Sequence, residues 1–128
     1  MTEDSKAYWA WLQLSLGEGS FKPKRILSYF PDIPSFYDAG PTQWSQNTLE
    51  DGKVLIASNE EKGIQTITPA CKAYPHRLYQ IDNPPCMLYV KGTLPNLDEQ
   101  PALAVVGTRN ATTTGKQITY DLSMQLAQ

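Results

Sequence analysis

The stretch ALAVVGTRNATTTGK, residues 102–116, decides the fold. Ala102-Leu103-Ala104-Val105-Val106 is apolar on both faces, the pattern of a parallel strand covered on both sides, not of an edge strand with one face in water. Gly107 ends the run and Thr108-Arg109 follows. Beyond Gly115, the residues Ile118, Leu122, Leu126 and Ala127 recur at helical spacing. Strand, glycine turn and helix in direct succession open a doubly wound α/β sheet. One such unit cannot bury its own faces, so further β-α units are expected, and the sequence stops before supplying them.

The loop between strand and helix collects groups that attract an anion. Gly107 has no Cβ and lets a ligand approach the backbone. Thr108 offers a hydroxyl, Arg109 a planar fork suited to phosphate oxygens, and the coming helix its free N–H groups and positive dipole end. One of the threonines Thr112, Thr113 and Thr114 is expected to cap that helix. Lys116, in the first turn, opposes the dipole and makes better sense beside a phosphate, although a solvated side chain explains it equally. The P-loop spacing fails, because Asn110 stands where the first glycine belongs and Gln117 follows Lys116. The dinucleotide fingerprint fails too, because Arg109 and Thr112 occupy its second and third glycine positions.

Upstream, two shorter runs have the two-residue period of strands: Ile64-Gln65-Thr66-Ile67-Thr68, stopped by Pro69, and Met87-Leu88-Tyr89-Val90-Lys91, stopped by Gly92. Proline-rich loops, Tyr74-Pro75 and Asn83-Pro84-Pro85, lie between them. Before Gly63 the period is helical. Tyr8, Trp9, Leu12 and Leu16 mark one helix, with Tyr8, Trp9 and Leu12 as core and Trp11 pointing elsewhere, free to stack on a base. Lys22–Phe30 places Ile26, Leu27 and Phe30 inward. Asp32–Tyr37 and Thr42–Gln46 make short turns, and Leu49–Lys62 is a longer helix with Val54, Leu55, Ala57 and Ser58 inward and Gly63 as its stop. The division is thus a helical module over residues 1–62 and the N-terminal part of a Rossmann-like domain over 63–128. The fold class is α/β, with the first strands and helix of an incomplete Rossmann-like parallel sheet.

Bulk properties exclude several classes. The 128 residues are 41% hydrophobic and 19% charged, enough apolar material for a core and too little charge for a disordered tail. The net charge is -2, so the chain is no basic nucleic-acid coat. Up to Lys62 there are six Lys/Arg against nine Asp/Glu, and beyond it five against four, so an anion site is favoured in the second part. Cys71 and Cys86 are too few for a disulfide scaffold or a zinc cluster and fit thiols of a reducing cytosol. Neither a signal-like stretch nor a membrane-spanning run is present. His76, the single histidine, lacks a nucleophile or paired carboxylate nearby; Asp82 reads as a turn residue and Asp98-Glu99 as a solvated loop without a third metal ligand.

The succession Tyr74-Pro75-x-x-Leu78, Ile81-Asp82-x-Pro84-Pro85-x-x-Leu88-Tyr89-Val90-Lys91-Gly92-x-Leu94 and Ala104-Val105-Val106-Gly107-Thr108-Arg109-x-Ala111-Thr112-x-x-Gly115 resembles the DprA/Smf family of DNA-processing proteins. The likeness covers residues 64–128 in order and spacing; the helical part is compatible with the family's variable N-terminal domain. It implies a cytoplasmic Rossmann-like domain that binds and protects single-stranded DNA in natural transformation and delivers it to a RecA-type recombinase. It implies no bond-breaking, cofactor or metal, and leaves room for a homodimer through residues outside this sequence. The family's contacts to the DNA backbone carry onto Gly107, Thr108 and Arg109, and further onto Thr112, Gly115 and Lys116. Thr114 stands where the family often has an aromatic residue. Two rival readings stay open: a nucleotide hydrolase or transferase holding a nucleotide phosphate on the same loop, and an interaction module whose helical part binds a partner.

Overall fold

The computed structural model describes residues 3–17, 23–40 and 45–127. In chain order the elements are α1 (Glu3–Leu16), α2 (Pro23–Leu27), α3 (Ile33–Asp38), α4 (Leu49–Glu61), β1 (Ile64–Ile67), α5 (His76–Tyr79), β2 (Leu88–Lys91) and α6 (Thr113–Leu126).

Local chemistry explains the boundaries. α1 stops at Gly17, whose φ of 63° is the left-handed conformation that ends helices and that glycine adopts without strain. α3 starts at Asp32, whose carboxylate accepts from the Ser35 N–H at 2.8 Å; hydrogen bonds from Ser35 hold this carboxyl below its ordinary value. α4 opens with a capping box: Thr48 Oγ1 accepts from the Asp51 N–H at 3.3 Å, and Asp51 Oδ2 accepts from the Thr48 N–H at 2.6 Å. It ends before Gly63, at a φ of 69°, whose N–H donates to the Glu60 carbonyl at 2.9 Å. Of the short turn expected over Thr42–Gln46, residues 42–44 lie outside the described residues, and Ser45 and Gln46 are not helical.

The core forms where α1 meets α3 and α4. Trp9, Trp11, Leu12, Ile26, Ile33 and Cys86 make a buried cluster, with Tyr8, Leu16, Leu27, Phe30, Phe36, Tyr37, Leu49 and Ala70 packed on it. Trp11 is therefore core and not a free stacking surface. Its ring centroid lies 4.8 Å from Tyr37 in an edge-on pair and 6.0 Å from Phe36, and its Nε1 donates to the Asn47 carbonyl at 2.9 Å. Single-helix periodicity assigns Trp11 to the far side, but α1 is covered from two sides, by α3 and by α4, so its buried face is wide. The inward face of α4 also differs from expectation. Gly52 and Asn59 are buried and Leu55 is half-buried, while Val54 and Ala57 are exposed. The reason is at Gly52: a Cβ there would sit 2.6 Å from the Ala7 carbonyl oxygen and 2.8 Å from the Trp11 nitrogen. The two backbones approach at the glycine, and that contact fixes the rotation of α4.

β1 and β2 pair antiparallel, with Ile64 opposite Lys91 and Ile67 opposite Leu88. The packing does not stop at Lys62: Ala70 and Cys86, from the segment joining the two strands, are part of the helical cluster. Tyr74 is buried in the same segment, donates its hydroxyl to the Pro85 carbonyl at 2.7 Å, and has its pKa pushed up to about 12 by burial. Burial likewise pushes the Cys86 thiol up to about 12.

The mixture of helix and strand stands, but the sheet among the described residues is this antiparallel pair alone. Ala102–Val106 follows an unpaired path, with Leu103 70%, Val105 58% and Val106 90% exposed. A strand is defined by its ladder, and no described segment offers this one its backbone donors and acceptors. α6 forms as expected but buries none of its residues.

Candidate functional site

Residues 107–116 run from the unpaired stretch through a turn at Arg109-Asn110 into the first turn of α6. Thr112 is the N-cap: its φ and ψ of -65° and 158° are extended, its Oγ1 accepts from the Gly115 N–H at 3.1 Å, and its carbonyl accepts from the Lys116 N–H at 3.0 Å. A Cβ on Gly115 would approach that Oγ1 to 3.2 Å, so glycine at this position spares the cap a tight contact. With Gly115 satisfied by the cap, the N–H groups of Thr113 and Thr114 are the donors the helix cannot use internally. They sit at the positive end of a fourteen-residue helix with no acidic residue in its first turn.

Gly107, Thr108, Arg109 and Thr112 are exposed and Gly115 is half-buried. The space a Cβ would take at Gly107 is open, so the backbone there is accessible from outside. Gly107 is not among the positive-φ glycines; its contribution is access, not an unusual turn. The ion pairs among the described residues are Lys6–Glu60, Lys53–Glu50 and Arg77–Asp98, which leaves Arg109 and Lys116 without a carboxylate partner there. The six expected residues lie within one ten-residue segment, and all of them but Gly115 are exposed. That segment is open, unlike the clefts of about 330 Å³ beside Leu16, Pro23 and Pro84 and about 360 Å³ beside Tyr74, Leu94 and Asp98. Exposed cations beside free N–H donors are groups that can bind an anion.

The other candidates fall elsewhere. Asp98 is not merely solvated: its Oδ2 accepts from the His76 N–H at 2.7 Å and its Oδ1 from the Arg77 N–H at 2.9 Å, while Arg77 Nη2 donates to the Asp98 carbonyl at 2.8 Å. These bonds, those from the backbone first, hold the Asp98 carboxyl below its ordinary value. They also account for α5, a four-residue helix inside what reads as a proline-rich loop, because its cap comes from a residue more than twenty positions away. Among the described residues no group of three or more His, Cys, Asp or Glu could hold a metal ion, and no helix is long and apolar enough to cross a membrane. The periodicity argument passes over Lys24 and Arg25, adjacent cations in an acidic segment; that local charge contrast is the signal that marks them.

Comparison with known proteins meets the same region. The family described as DNA recombination-mediator protein A matches residues 65–128. Over 74 residues the chain is 36% identical to the DNA processing protein DprA of Bacillus subtilis, an alignment covering 58% of this chain and 25% of that protein. It is 28% identical to the Protein Smf of a Synechocystis species over 148 aligned positions, covering 100% of this chain and 37% of that protein. The chain therefore spans between a quarter and two-fifths of the length of these relatives.

Proposed function

The chain belongs to the DNA recombination-mediator protein A family, and on that premise we propose that it binds single-stranded DNA through Gly107, Thr108, Arg109 and the start of α6. One observation carries the reading. A guanidinium without a carboxylate partner among the described residues, exposed hydroxyls and unused helix N–H groups follow one another within ten residues, with no carboxylate in the first turn of the helix to compete for them. Phosphates of an extended strand fit such a segment. The backbone of Gly107 admits close approach, Arg109 grips two phosphate oxygens, and Thr113 and Thr114 N–H groups take a neighbouring oxygen. Thr112 and Gly115 shape the helix start, and Lys116 adds charge. The action is binding without bond-breaking, and needs no cofactor or metal.

In the complete arrangement we infer, residues 1–62 are a helical module and residues 63–128 begin a Rossmann-like DNA-binding domain. Ala102–Val106 is its first central parallel strand. Its exposed apolar side chains and those of α6 suit elements that further β-α units cover. A recombination mediator hands its DNA to a recombinase, so a RecA-type protein is the expected recipient, with protection of incoming DNA in natural transformation as the setting in the cytoplasm.

The test is binding of a fluorescent oligothymidine, followed by anisotropy, to the chain and to Arg109→Ala. A charged hydrogen-bonding group is worth about 1.5–3 kcal/mol, so the variant should bind roughly tenfold to a hundredfold more weakly. Unchanged affinity would sink the loop as the site. Displacement of the oligonucleotide by a mononucleotide at low concentration would point instead to a nucleotide enzyme.

A further inference from the structure

We propose that the surface shared by α2 and α5, formed by Lys24, Arg25, Tyr29 and Tyr79, is a second contact for single-stranded nucleic acid; the nature of the polymer rests on the reading above, whereas the site does not. α2 faces the core with Pro23 and Ile26, which are buried, and this turns Arg25 outward. The helical path continues past Leu27, with the Ser28 N–H donating to the Lys24 carbonyl and the Phe30 N–H to the Ile26 carbonyl, each at 3.0 Å. Arg25 and Tyr29, four residues apart, therefore share a face. Tyr29 is 76% exposed, more than any other aromatic residue among those described, so the fold makes little use of its ring. Lys24 Nζ lies 5.5 Å from the centroid of the Tyr79 ring, a contact that joins α2 to α5.

Charge sharpens the argument. Residues up to Lys62 are net acidic, yet neither Lys24 nor Arg25 takes part in the ion pairs among the described residues. The nearest following carboxylate in the chain, Asp32, is committed to capping α3. Two cations without a carboxylate partner there, interleaved with an exposed and a half-buried tyrosine, are the chemistry that holds a single strand: charge tracks the backbone and rings stack on bases whatever their sequence. A lipid surface would ask for exposed aliphatic side chains between the cations, and Leu27 is half-buried in the core cluster.

The experiment uses the 128-residue chain with oligothymidine and an abasic deoxyribose-phosphate strand of equal length. In Lys24→Gln/Arg25→Gln, affinity for oligothymidine should fall at least tenfold at low salt. The slope of log affinity against log salt should shrink by about 1.4, since each phosphate contact on a single strand contributes about 0.7. Lys24→Arg/Arg25→Lys should keep both affinity and slope. Tyr29→Ala should weaken oligothymidine binding at least fivefold and leave the abasic strand unaffected, because stacking needs a base. Thermal melts confirm that each variant is folded. Unchanged affinity and slope in the glutamine variant overturn the proposal, as does an equal loss in the charge-keeping variant or an equal effect of Tyr29→Ala on both strands. Loss in Arg109→Ala with the glutamine variant intact defeats this surface alone, whereas the reverse supports it and defeats the loop alone.

Discussion

α1 and α6 are both fourteen residues long and both carry apolar side chains at helical spacing, yet their surroundings are opposite. In α1, Ala10 and Leu12 are 0% exposed and Trp11 2%; in α6, Leu122 is 54% and Leu126 66% exposed. The difference lies in what surrounds them. α1 meets α3 on one side and α4 on the other, with the glycine at position 52 letting one backbone settle on the next. α6 has a sound N-cap, but among the described residues no element covers its apolar side. Periodicity and capping make a helix, whereas burial is a property of its neighbours, and stability follows the second.

The largest break in the comparison is to remove the centre of the packed side. Trp11→Ala deletes an indole that is 2% exposed, two aromatic contacts and a hydrogen bond to Asn47. Buried aromatic-to-alanine changes cost about 3–5 kcal/mol, a large part of the stability of a domain this size. Chemical denaturation should show the midpoint collapsing. A variant that kept its midpoint would mean that the α1 core is not what holds the body together.

A second test asks how far the packed body reaches along the chain. Asp98 ties the segment before Ala102 to α5, and its carboxyl lies below its usual value of 3.8 because it accepts from the Arg77 and His76 N–H groups. A carboxylate whose folded value is depressed contributes stability that is fully present above its unfolded value and is lost as pH falls through the folded one. The clasp should therefore hold fully above about pH 4 and be lost only as pH falls through the lower, folded value. Amide exchange of His76 and Arg77, followed as pH is lowered from 5 until the carboxyl is protonated, should show protection lost at the acid end. In Asp98→Asn that pH dependence should flatten, since the amide no longer titrates. Protection that persists once the carboxyl is fully protonated would remove Asp98 as the reason α5 exists.

Much of this division was legible in the sequence. The presence of helices α1 and α4, the glycine stop at Gly63, both strands to within a residue, and a threonine cap for α6 all follow from local chemistry. What was not legible depends on distant partners. Trp11 turns inward because two elements cover α1. Gly52 rather than Val54 faces the core because helix crossing needs closeness more than it needs apolar area. α5 requires Asp98, and among the described residues Ala102–Val106 has no neighbour that would make it a strand. In the candidate surfaces, Lys24 and Tyr79 meet only through the fold.

The smallest expected effect is the most informative about α6. Ile118 is 53% and Leu122 54% exposed, and they lie four residues apart on one side of the helix. Replacing both by serine removes apolar area that water already reaches, so the hydrophobic term barely changes. The residual cost is helix propensity, which is modest for serine. The denaturation midpoint of Ile118→Ser/Leu122→Ser should correspond to a change within about 0.5 kcal/mol per site, the usual range for surface substitutions. Binding of a hydrophobic dye should fall, because the patch it recognises has been made polar. A drop as large as that of Trp11→Ala would show that α6 is buried in solution against something, and the contrast between the two helices would fail. An unchanged midpoint with reduced dye binding would identify the α6 face as apolar surface that contributes little to the fold of residues 3–99 and is available to a covering element.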